Sequence, residues 1–418
     1  MYHPTVVEQR LTTMLDAVRR TVPGAEAPAR TLAEVAEWDA RLSTAWDPDT
    51  KTAKRPLDDE EQRFILGEKL RSKADWRYCA ERYFKIRDEG GSLITIPLRR
   101  TQEIILRKLG EMEASTAARN DGVLALVLKA RQLGVSTLTE LLIAHKALFY
   151  SHRHCLIASD IPENSAYLFD MIERVYENLP WWLQPTKTEH VKNDEIVFGK
   201  IDTRIKVGWG NATRGQRGTA RARLGQGTTI NAFHGSELAT WTNGKQIDSS
   251  VTPALPRHPN TFGLLESTAL GRGNWWHDAW TTATKGLGRW RPIFIPWCIE
   301  VEKYSVPPPA SWTPSDITTA HAARVTGIAR DWCGITMTLT PGQMYWYETM
   351  RAEAIQKRML PSFAAEYAAD PDECFQNSGQ SVFSIEMLNG AAQRLKTLAG
   401  LADITLDPTV DWARRMIE

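Results

Sequence analysis

Apolar and polar residues follow a helical rhythm in the first part of the chain. Two amphipathic runs, VVEQRLTTMLDAV and LAEVAEWDARL, are separated by a break rich in Pro, Gly and Ala. A polar segment, WDPDTKTAKRPLDDE, follows, and a further helical stretch is predicted from about residue 59 to residue 88. The next segment, GGSLITIPLRRTQEIILRKL, predicts a turn, a strand and a helix.

From residue 121 the rhythm changes, and short apolar runs alternate with helical ones. Apolar strands separated by helices indicate a mostly parallel sheet covered on both faces, so the predicted fold class is α/β. After a Pro-rich loop, a helix is predicted over 339–359, with Thr340 as its N-cap and Pro341 at its first position. The predicted strands are 123–128, 154–159, 204–209, 228–234, 261–268 and 291–297.

Composition and charge narrow the class of protein. The 418 residues suffice for two or more domains, and 42% hydrophobic with 24% charged residues is typical of a globular protein. The net charge of +1 means that contact with nucleic acid would need a local basic patch. The five cysteines form no C-x-x-C, which argues against a zinc ribbon or disulfide framework and favours a reducing compartment. No signal-type core or run of about 18 apolar residues predicts a membrane segment.

The segment KARQLGVST, residues 129–137, resembles a phosphate-binding loop with a displaced lysine. In the usual pattern, G-x-x-x-x-G-K-[ST], Gly134 takes the second glycine's place and Ser136 takes the hydroxyl position. Val135 stands where the lysine belongs, and Lys129 stands at the first glycine. A strand that ends at a helix N-terminus presents free N–H groups to an anion, and Lys129 or Arg131 would supply the positive charge. The alternative is a plain strand–turn–helix with solvated basic residues.

An acidic residue follows a later predicted strand, in TTINAFHGSELATW. Glu237 lies just past that strand, where a carboxylate can orient the water that attacks a nucleotide. Ser236 replaces the usual aspartate and could hold Mg²⁺ only through its hydroxyl or a water. Alternatively, Glu237 is an acid near the start of the next helix. We expect His234 to be packed or hydrogen-bonded and not a metal ligand.

Two further segments carry candidate chemistry. The next strand ends in Ser267, Thr268 and Ala269, which could sense the terminal phosphate, although similar strand ends are common turns. The segment NATRGQRGTARAR suits DNA phosphates or an arginine finger to a neighbouring subunit, and the alternative is a solvated basic loop. Its arginines are Arg214, Arg217, Arg221 and Arg223.

In this order and spacing, the motifs resemble the large terminase subunit of tailed double-stranded DNA bacteriophages, the motor that drives DNA into the procapsid. KARQLGVST resembles the family's phosphate loops with a lysine at the start, and HGSELATW resembles its acidic strand end. ESTALGRGN resembles the coupling motif, and QRGTA an Arg-Gly element before the acidic strand. YFKIRDEGGSLITIPLRRTQ resembles the adenine-side element, with Gln102 as the base-reading residue. LTPGQMYWYE and FAAEYAADPDECFQNSGQSVFS resemble the segment that leaves the ATPase domain; the resemblance covers roughly 80–385.

The resemblance implies a P-loop NTPase fold of the additional-strand, catalytic-glutamate type. It implies a helical N-terminal region over 1–80, an ATPase domain over 81–385 and a linker over 386–418. Glu237 would be catalytic, Arg217 the likeliest finger among the four arginines, and Ser267–Ala269 the coupling segment. Mg²⁺ would be held by Ser136 and Ser236. The ATP-binding residues would be Gln102, Lys129, Arg131, Gly134, Val135, Ser136 and Thr137.

The implied partners are double-stranded DNA, the portal protein, the small terminase subunit and further copies of the chain in a pentameric ring. The implied location is the cytoplasm of the infected bacterium and, transiently, the portal vertex of the procapsid, with no membrane contact. The family normally continues into an RNase H-like nuclease. Asp403, Asp407 and Asp411 stand near the end without a predicted strand, so no nuclease activity is expected.

Two other functions stay open. A helicase-like remodelling ATPase would share the S-T-A segment and Gln102, but it needs a second motor domain, and 300–418 shows no second series of strands. A nucleotide-binding assembly protein without turnover would explain the displaced lysine and the missing aspartate. Glu237 separates these functions, because a protein that only binds nucleotide has no need of a carboxylate there.

Overall fold

The computed structural model describes residues 3–376, apart from residues 118, 189–193, 212–223 and 226. The four candidate arginines of the basic loop therefore lie outside the described residues, and so do the predicted linker and the three C-terminal aspartates. Residues 377–418 as a whole are outside the described residues.

Helices surround a central sheet in the described residues. The α-helices are α1 (Pro4–Arg19), α2 (Leu32–Ser43), α3 (Asp59–Ala74), α4 (Trp76–Tyr83), α5 (Arg100–Ala117), α6 (Val135–Phe149), α7 (Pro162–Glu177), α8 (Thr252–Ala254), α9 (Trp275–Thr284), α10 (Asp316–Cys333), α11 (Pro341–Gln356) and α12 (Leu360–Glu366). The strands are β1 (Trp46–Asp47), β2 (Thr52–Ala53), β3 (Lys85–Arg87), β4 (Leu93–Thr95), β5 (Val123–Lys129), β6 (His154–Ser159), β7 (Glu195–Phe198), β8 (Thr203–Trp209), β9 (Ala232–Ser236), β10 (Phe262–Ser267) and β11 (Arg291–Ile295).

Local signals place the helix ends. Thr340 caps α11 by accepting from the Gln343 N–H, and Pro341 is its first residue, as predicted. The single helical stretch predicted to residue 88 was wrong at its end. Asp75 ends α3 and caps α4 by accepting from the Tyr78 N–H, and β3 takes up the last residues of the stretch. A short polar side chain that bonds to nearby N–H groups divides one helix into two.

The central sheet has seven strands in the order β11-β5-β10-β9-β6-β8-β7. Neighbouring strands are parallel except for β7 and β8, which confirms the α/β class with a mostly parallel sheet. The prediction for β9 was wrong at its start, because the strand begins at Ala232 and not at residue 228. The Ile230 N–H instead donates to the carbonyl of Ala254, outside the sheet.

The strand order carries functional meaning. β10 lies between β5 and β9, although β9 comes before it in the chain. This additional strand separates the phosphate-loop strand from the acidic strand, as expected from the resemblance to the additional-strand type of fold. Because the strands are parallel, their carboxyl ends meet at one edge of the sheet, where such folds bind ligands.

The two faces of β5 contribute to separate cores, since successive side chains point to opposite faces. Val123, Ala125 and Val127 pack with α6 and with residues of the N-terminal helices, including Leu42, Phe64 and Trp76. The intervening leucines of β5 pack with Trp276 and Phe294 on the other face. The helices of the N-terminal region thus share one core with the sheet. Across the described ranges, no helix is both long and apolar enough to span a bilayer.

Candidate nucleotide-binding site

The loop between β5 and α6 forms one wall of the site. Gly134 caps α6 with φ of 72°, and a Cβ there would lie 2.9 Å from the Gln102 amide nitrogen. Glycine suits this position because the left-handed region disfavours a side chain and the close approach of Gln102 leaves no room for one. The N–H of Ala130 donates to Ile295 and that of Arg131 to Glu366, which anchors the start of the loop. The first N–H groups of a helix have no partner within the helix, so those at the start of α6 are suited to bind an anion.

Gln102 braces the loop from α5. Its Nε2 donates to the carbonyl oxygen of Gly134 at 2.9 Å, and its Oε1 accepts from the N–H of Arg99 at 2.9 Å. The side chain is buried, although it contributes to the wall of the cleft. A glutamine amide retains one further N–H and one lone pair after two such bonds. Reading of an adenine base by Gln102 therefore stays a prediction.

The loop opens on a cleft of about 1010 Å³, a size that suits a nucleotide. The phosphate loop and the end of β9 both line it. Apolar side chains from β3, β4 and α7 also line the cleft, where a base could pack. The lining residues used below are Gln102, Gly134, Ser136, Thr137, Ser236 and Glu237.

Glu237 stands immediately after β9, at the strand end where the sequence predicts it. Its backbone is left-handed, with φ 54° and ψ 42°, a strained conformation for a residue other than glycine. The side chain is 37% exposed. Burial raises the pKa of the Glu237 carboxyl, and the nearby Lys129 ammonium offsets only part of that rise. A carboxylate with a raised pKa at a strained position is suited to accept a hydrogen bond from water.

Lys129 ends β5 and is buried against two carboxylates. Its Nζ lies 3.0 Å from Glu266 Oε2 and 3.6 Å from Glu237 Oε1. Burial would lower the pKa of Lys129, but the two carboxylates raise it, so the ammonium stays charged. The structure thus joins the displaced lysine directly to the acidic strand end. Neutralisation of phosphate charge by Lys129 stays a prediction.

Glu266 is the residue that sequence reasoning missed. It lies on β10, and its side chain is fully buried. Its Oε1 accepts hydrogen bonds from Ser136 Oγ at 2.8 Å and from Ser236 Oγ at 2.6 Å. Burial would raise the pKa of Glu266, but Lys129 and His234 hold it well below its usual range. The available signal was a charged residue within the apolar run FGLLES of a central strand, where acids are rarely buried without a partner.

His234 is buried behind these carboxylates. Its Nδ1 lies 2.5 Å from Glu140 Oε1 of α6, and its Nε2 lies 3.7 Å from Glu266 Oε1. Burial would lower the pKa of His234, but Glu140 and Glu266 raise it to about 9. The expectation of a packed, hydrogen-bonded histidine is confirmed.

The remaining candidates lie around this centre. Ser267 Oγ accepts from the N–H of Ala239 at 3.1 Å and so connects the end of β10 to the turn after Glu237. Thr268 and Ala269 follow directly, and Ala269 is buried. The guanidinium of Arg131 lies 3.1 Å from the Glu366 carboxylate of α12, and the Tyr304 hydroxyl donates to the Arg131 carbonyl.

The cleft fits Mg²⁺ held largely by a nucleotide. Among the described residues, no group of three or more His, Cys, Asp or Glu side chains is arranged to hold a metal ion. Mg²⁺ in nucleotide sites is commonly bound by few protein groups, together with phosphates and waters. Ser136 and Ser236 present hydroxyls, and Glu237 presents a carboxylate, on the lining of one cleft. These are oxygen donors, as Mg²⁺ requires.

The chain is similar in structure to bacteriophage large terminases. The HK97 bacteriophage large terminase matches with 12% identity and a TM-score of 0.44, over 70% of this chain and 53% of that chain. A Thermus phage large terminase ATPase domain matches with 12% identity and a TM-score of 0.37, over 66% and 99%. A large terminase from a thermophilic bacteriophage in complex with ADP matches with 10% identity and a TM-score of 0.34, over 48% and 46%.

The matched part therefore spans about half the length of the HK97 protein. No family model matches the chain, and no curated protein matches it.

The fold brings most of the predicted site residues together. The phosphate loop and the end of β9 line one cleft, and Lys129 lies between the carboxylates of Glu266 and Glu237. Val135 is buried at the start of α6 and contributes packing. The assignments of ATP, metal and coupling roles to these residues stay predictions, and the arginine finger lies outside the described residues.

Proposed function

We propose that the chain is the ATP-hydrolysing motor of a viral large terminase subunit, which translocates double-stranded DNA into a procapsid. The observation that carries the proposal is the position of Glu237, at the end of β9, beside Lys129 and on the lining of the same cleft as the phosphate loop. A site that only binds phosphate needs the loop alone. A site that hydrolyses a nucleotide also needs a carboxylate that can orient water near the terminal phosphate.

The loop and its helix would bind the phosphates. The N–H groups at the start of α6 favour negative charge, and Gln102 keeps the loop in place through the Gly134 carbonyl. Ser136 and Ser236 would hold Mg²⁺, which supplies positive charge against the phosphate oxygens. The two hydroxyls and the loop thus define where the terminal phosphate lies.

Glu237 would orient the attacking water. Its pKa is raised by burial, which makes the carboxylate a better hydrogen-bond acceptor than an exposed glutamate. Lys129 restrains it from the side of the sheet, with Nζ 3.6 Å from Glu237 Oε1. The bond from the Ala239 N–H to Ser267 Oγ offers a route by which a change at Glu237 would reach the end of β10.

The packaging role rests on the ordered motifs that resemble the large terminase subunit, a class to which the matched structures also belong. In that role the chain would act on double-stranded DNA as a pentameric ring at the portal, with the small terminase subunit as a partner. A ring adds weak phosphate contacts from several subunits, which suits a net charge of +1.

The test is steady-state phosphate release from ATP, with and without double-stranded DNA, for the native chain and Glu237→Gln. We expect the variant to lose at least about 100-fold in turnover while it still binds ATP, because it loses only the group that orients water. Glu195→Gln is the matched control, since Glu195 lies on the antiparallel edge strand and pairs with Arg204. Turnover that persists in Glu237→Gln would contradict the proposed mechanism.

A second candidate is a nucleotide-binding assembly protein without turnover. The engagement of Lys129 by two carboxylates and the serine at position 236 favour it. Native protein that binds ATP but releases no phosphate, with DNA and at concentrations that allow a ring, would support this candidate. The helicase-like alternative lacks such support, since residues 300–376, which the structure describes, contain no strand.

A further inference from the structure

We infer that Glu266 is a positioning residue that supplies, from β10, the carboxylate that Ser236 lacks, and that it orients the Ser136 and Ser236 hydroxyls toward Mg²⁺. The inference rests on the proposed function, because it concerns the metal of the same nucleotide site. It assigns a role to a residue that opens the ESTALGRGN segment but was given no function there.

Strand register brings the carboxylate to this place. Glu266 is the direct partner of Ser236 in the parallel pairing of β10 with β9, and of Val127 in the pairing with β5. Its side chain lies between the phosphate loop and the acidic strand end. One oxygen atom, Oε1, accepts from both serines, at 2.8 Å and 2.6 Å. β10 therefore contributes a carboxylate to the site and does not only separate β5 from β9.

The two hydrogen bonds determine what the serines offer to the cleft. A serine hydroxyl has one proton to donate and two lone pairs that accept. Both protons are directed to Glu266, so the lone pairs of Ser136 and Ser236 remain for a cation or its bound waters. The ammonium of Lys129 lies 3.0 Å from the other carboxylate oxygen, Oε2, and so helps to fix the Glu266 side chain behind the two serines.

Glu266 acts through the serines and not by contact with the metal. Its side chain is fully buried and does not line the cleft, whereas both serines do. Groups that orient metal ligands in this way typically change metal affinity by about 10- to 100-fold when they are replaced.

The test measures the affinity of the protein–ADP complex for Mn²⁺, used in place of Mg²⁺, by electron paramagnetic resonance. We expect Glu266→Gln to weaken Mn²⁺ binding by roughly 10- to 100-fold. Glu68→Gln is the matched control, since Glu68 is a buried carboxylate that accepts from two hydroxyls away from the cleft. It should bind Mn²⁺ like the native chain.

A rescue variant separates orientation from packing. Ser236→Asp combined with Glu266→Gln places one carboxylate at the end of β9, within reach of the same cation, and should restore most of the Mn²⁺ affinity. A folded double variant that stays as weak as Glu266→Gln would attribute the loss to packing and overturn the inference. Circular dichroism establishes that each variant is folded.

If Glu266→Gln does not fold, the Mn²⁺ affinity of Glu266→Asp is measured instead. This variant keeps the charge but moves the carboxylate oxygens away from the serines. Native-like Mn²⁺ affinity in Glu266→Asp, or in a folded Glu266→Gln, would overturn this inference and leave the proposed function intact. A native chain that binds neither ADP nor ADP with Mn²⁺ would overturn both.

Discussion

Two buried glutamates, one in the N-terminal helices and one in the sheet, have similar neighbours, but their pKa values are shifted in opposite directions. Glu68 of α3 accepts from the hydroxyls of Tyr78 and Tyr83, and Arg30 Nε lies 3.6 Å away. Glu266 of β10 likewise accepts from two hydroxyls and lies beside a cation. Burial raises the pKa of Glu68, whereas the cations around Glu266 lower its pKa.

The difference lies in what surrounds the hydroxyls that each carboxylate binds. The tyrosines that bind Glu68 are themselves buried, so their hydroxyls have no free side toward a ligand. The serines that bind Glu266 line a cleft. Keeping Glu266 ionised requires Lys129 and His234 to be buried as charges as well, and this destabilises the fold unless every partner is present. Such a concentration of buried charge is typical of functional sites.

The largest expected effect is the loss of stability when Lys129 is removed from beside Glu266, compared with the removal of Arg30 from beside Glu68. Lys129→Met leaves the buried carboxylate of Glu266 without its closest cation and should lower the free energy of unfolding by about 3–5 kcal/mol. Arg30→Met should lower it by about 1 kcal/mol or less, because Arg30 is partly exposed and its ion pair is long. Urea denaturation of both variants measures the difference. Equal losses would mean that the two carboxylates are held in the same way.

Proton binding at His234, which is buried behind the cleft, should make the free energy of unfolding depend on pH. Its pKa is about 9 in the folded chain, against roughly 6.5 when unfolded, so the folded state binds the proton more tightly. This stabilisation is complete below about pH 6.5 and is lost as the pH rises through 9, by on the order of 3 kcal/mol. His234→Gln should remove most of this slope.

Urea denaturation at intervals from pH 6 to pH 10 measures that slope. Glu68→Gln serves as the control, because it changes a buried carboxylate but leaves the pairing of His234 with Glu140 in place. The same slope in native protein and in His234→Gln would show that His234 does not take up the proton.

Apolar patterning predicted the sheet well because each strand's own residues encode it. β5, β6 and β11 begin at or very near the predicted residues, and Glu237 follows its strand as expected. β9 starts later than predicted because the Ile230 N–H donates to the Ala254 carbonyl and not to a neighbouring strand. Ala254 is distant in the chain. No local pattern contains that information.

Glu266 was missed for a related reason. The contacts that indicate its role are with Ser136 and Ser236, which are 130 and 30 residues away in the chain. Only the strand order places β10 between β5, which leads into the phosphate loop, and β9, which carries Ser236, and a motif that is read along one segment cannot show it. The sequence motifs therefore located the walls of the cleft, and the register of the sheet located the carboxylate behind them.

The smallest expected effect concerns an exposed ion pair, in contrast to the buried ones. Arg131 and Glu366 pair at 3.1 Å with side chains that are 53% and 42% exposed, so the pair is worth about 1 kcal/mol or less. Glu366→Gln should free the guanidinium for phosphate and tighten ADP binding by up to about fivefold. The backbone bond from the Arg131 N–H to the Glu366 carbonyl should survive and hold the loop.

Calorimetric titration with ADP at low and high salt measures this change, which should shrink at high salt because exposed charges are screened. Glu353→Gln is the control, since it breaks an exposed pair with Lys357 away from the loop. Weaker ADP binding in Glu366→Gln would mean that the ion pair supports the loop and does not withhold Arg131. Tighter binding would mean that α12, which carries Glu366, competes with nucleotide for one arginine. Movement of α12 would then be a way to regulate nucleotide affinity from outside the sheet.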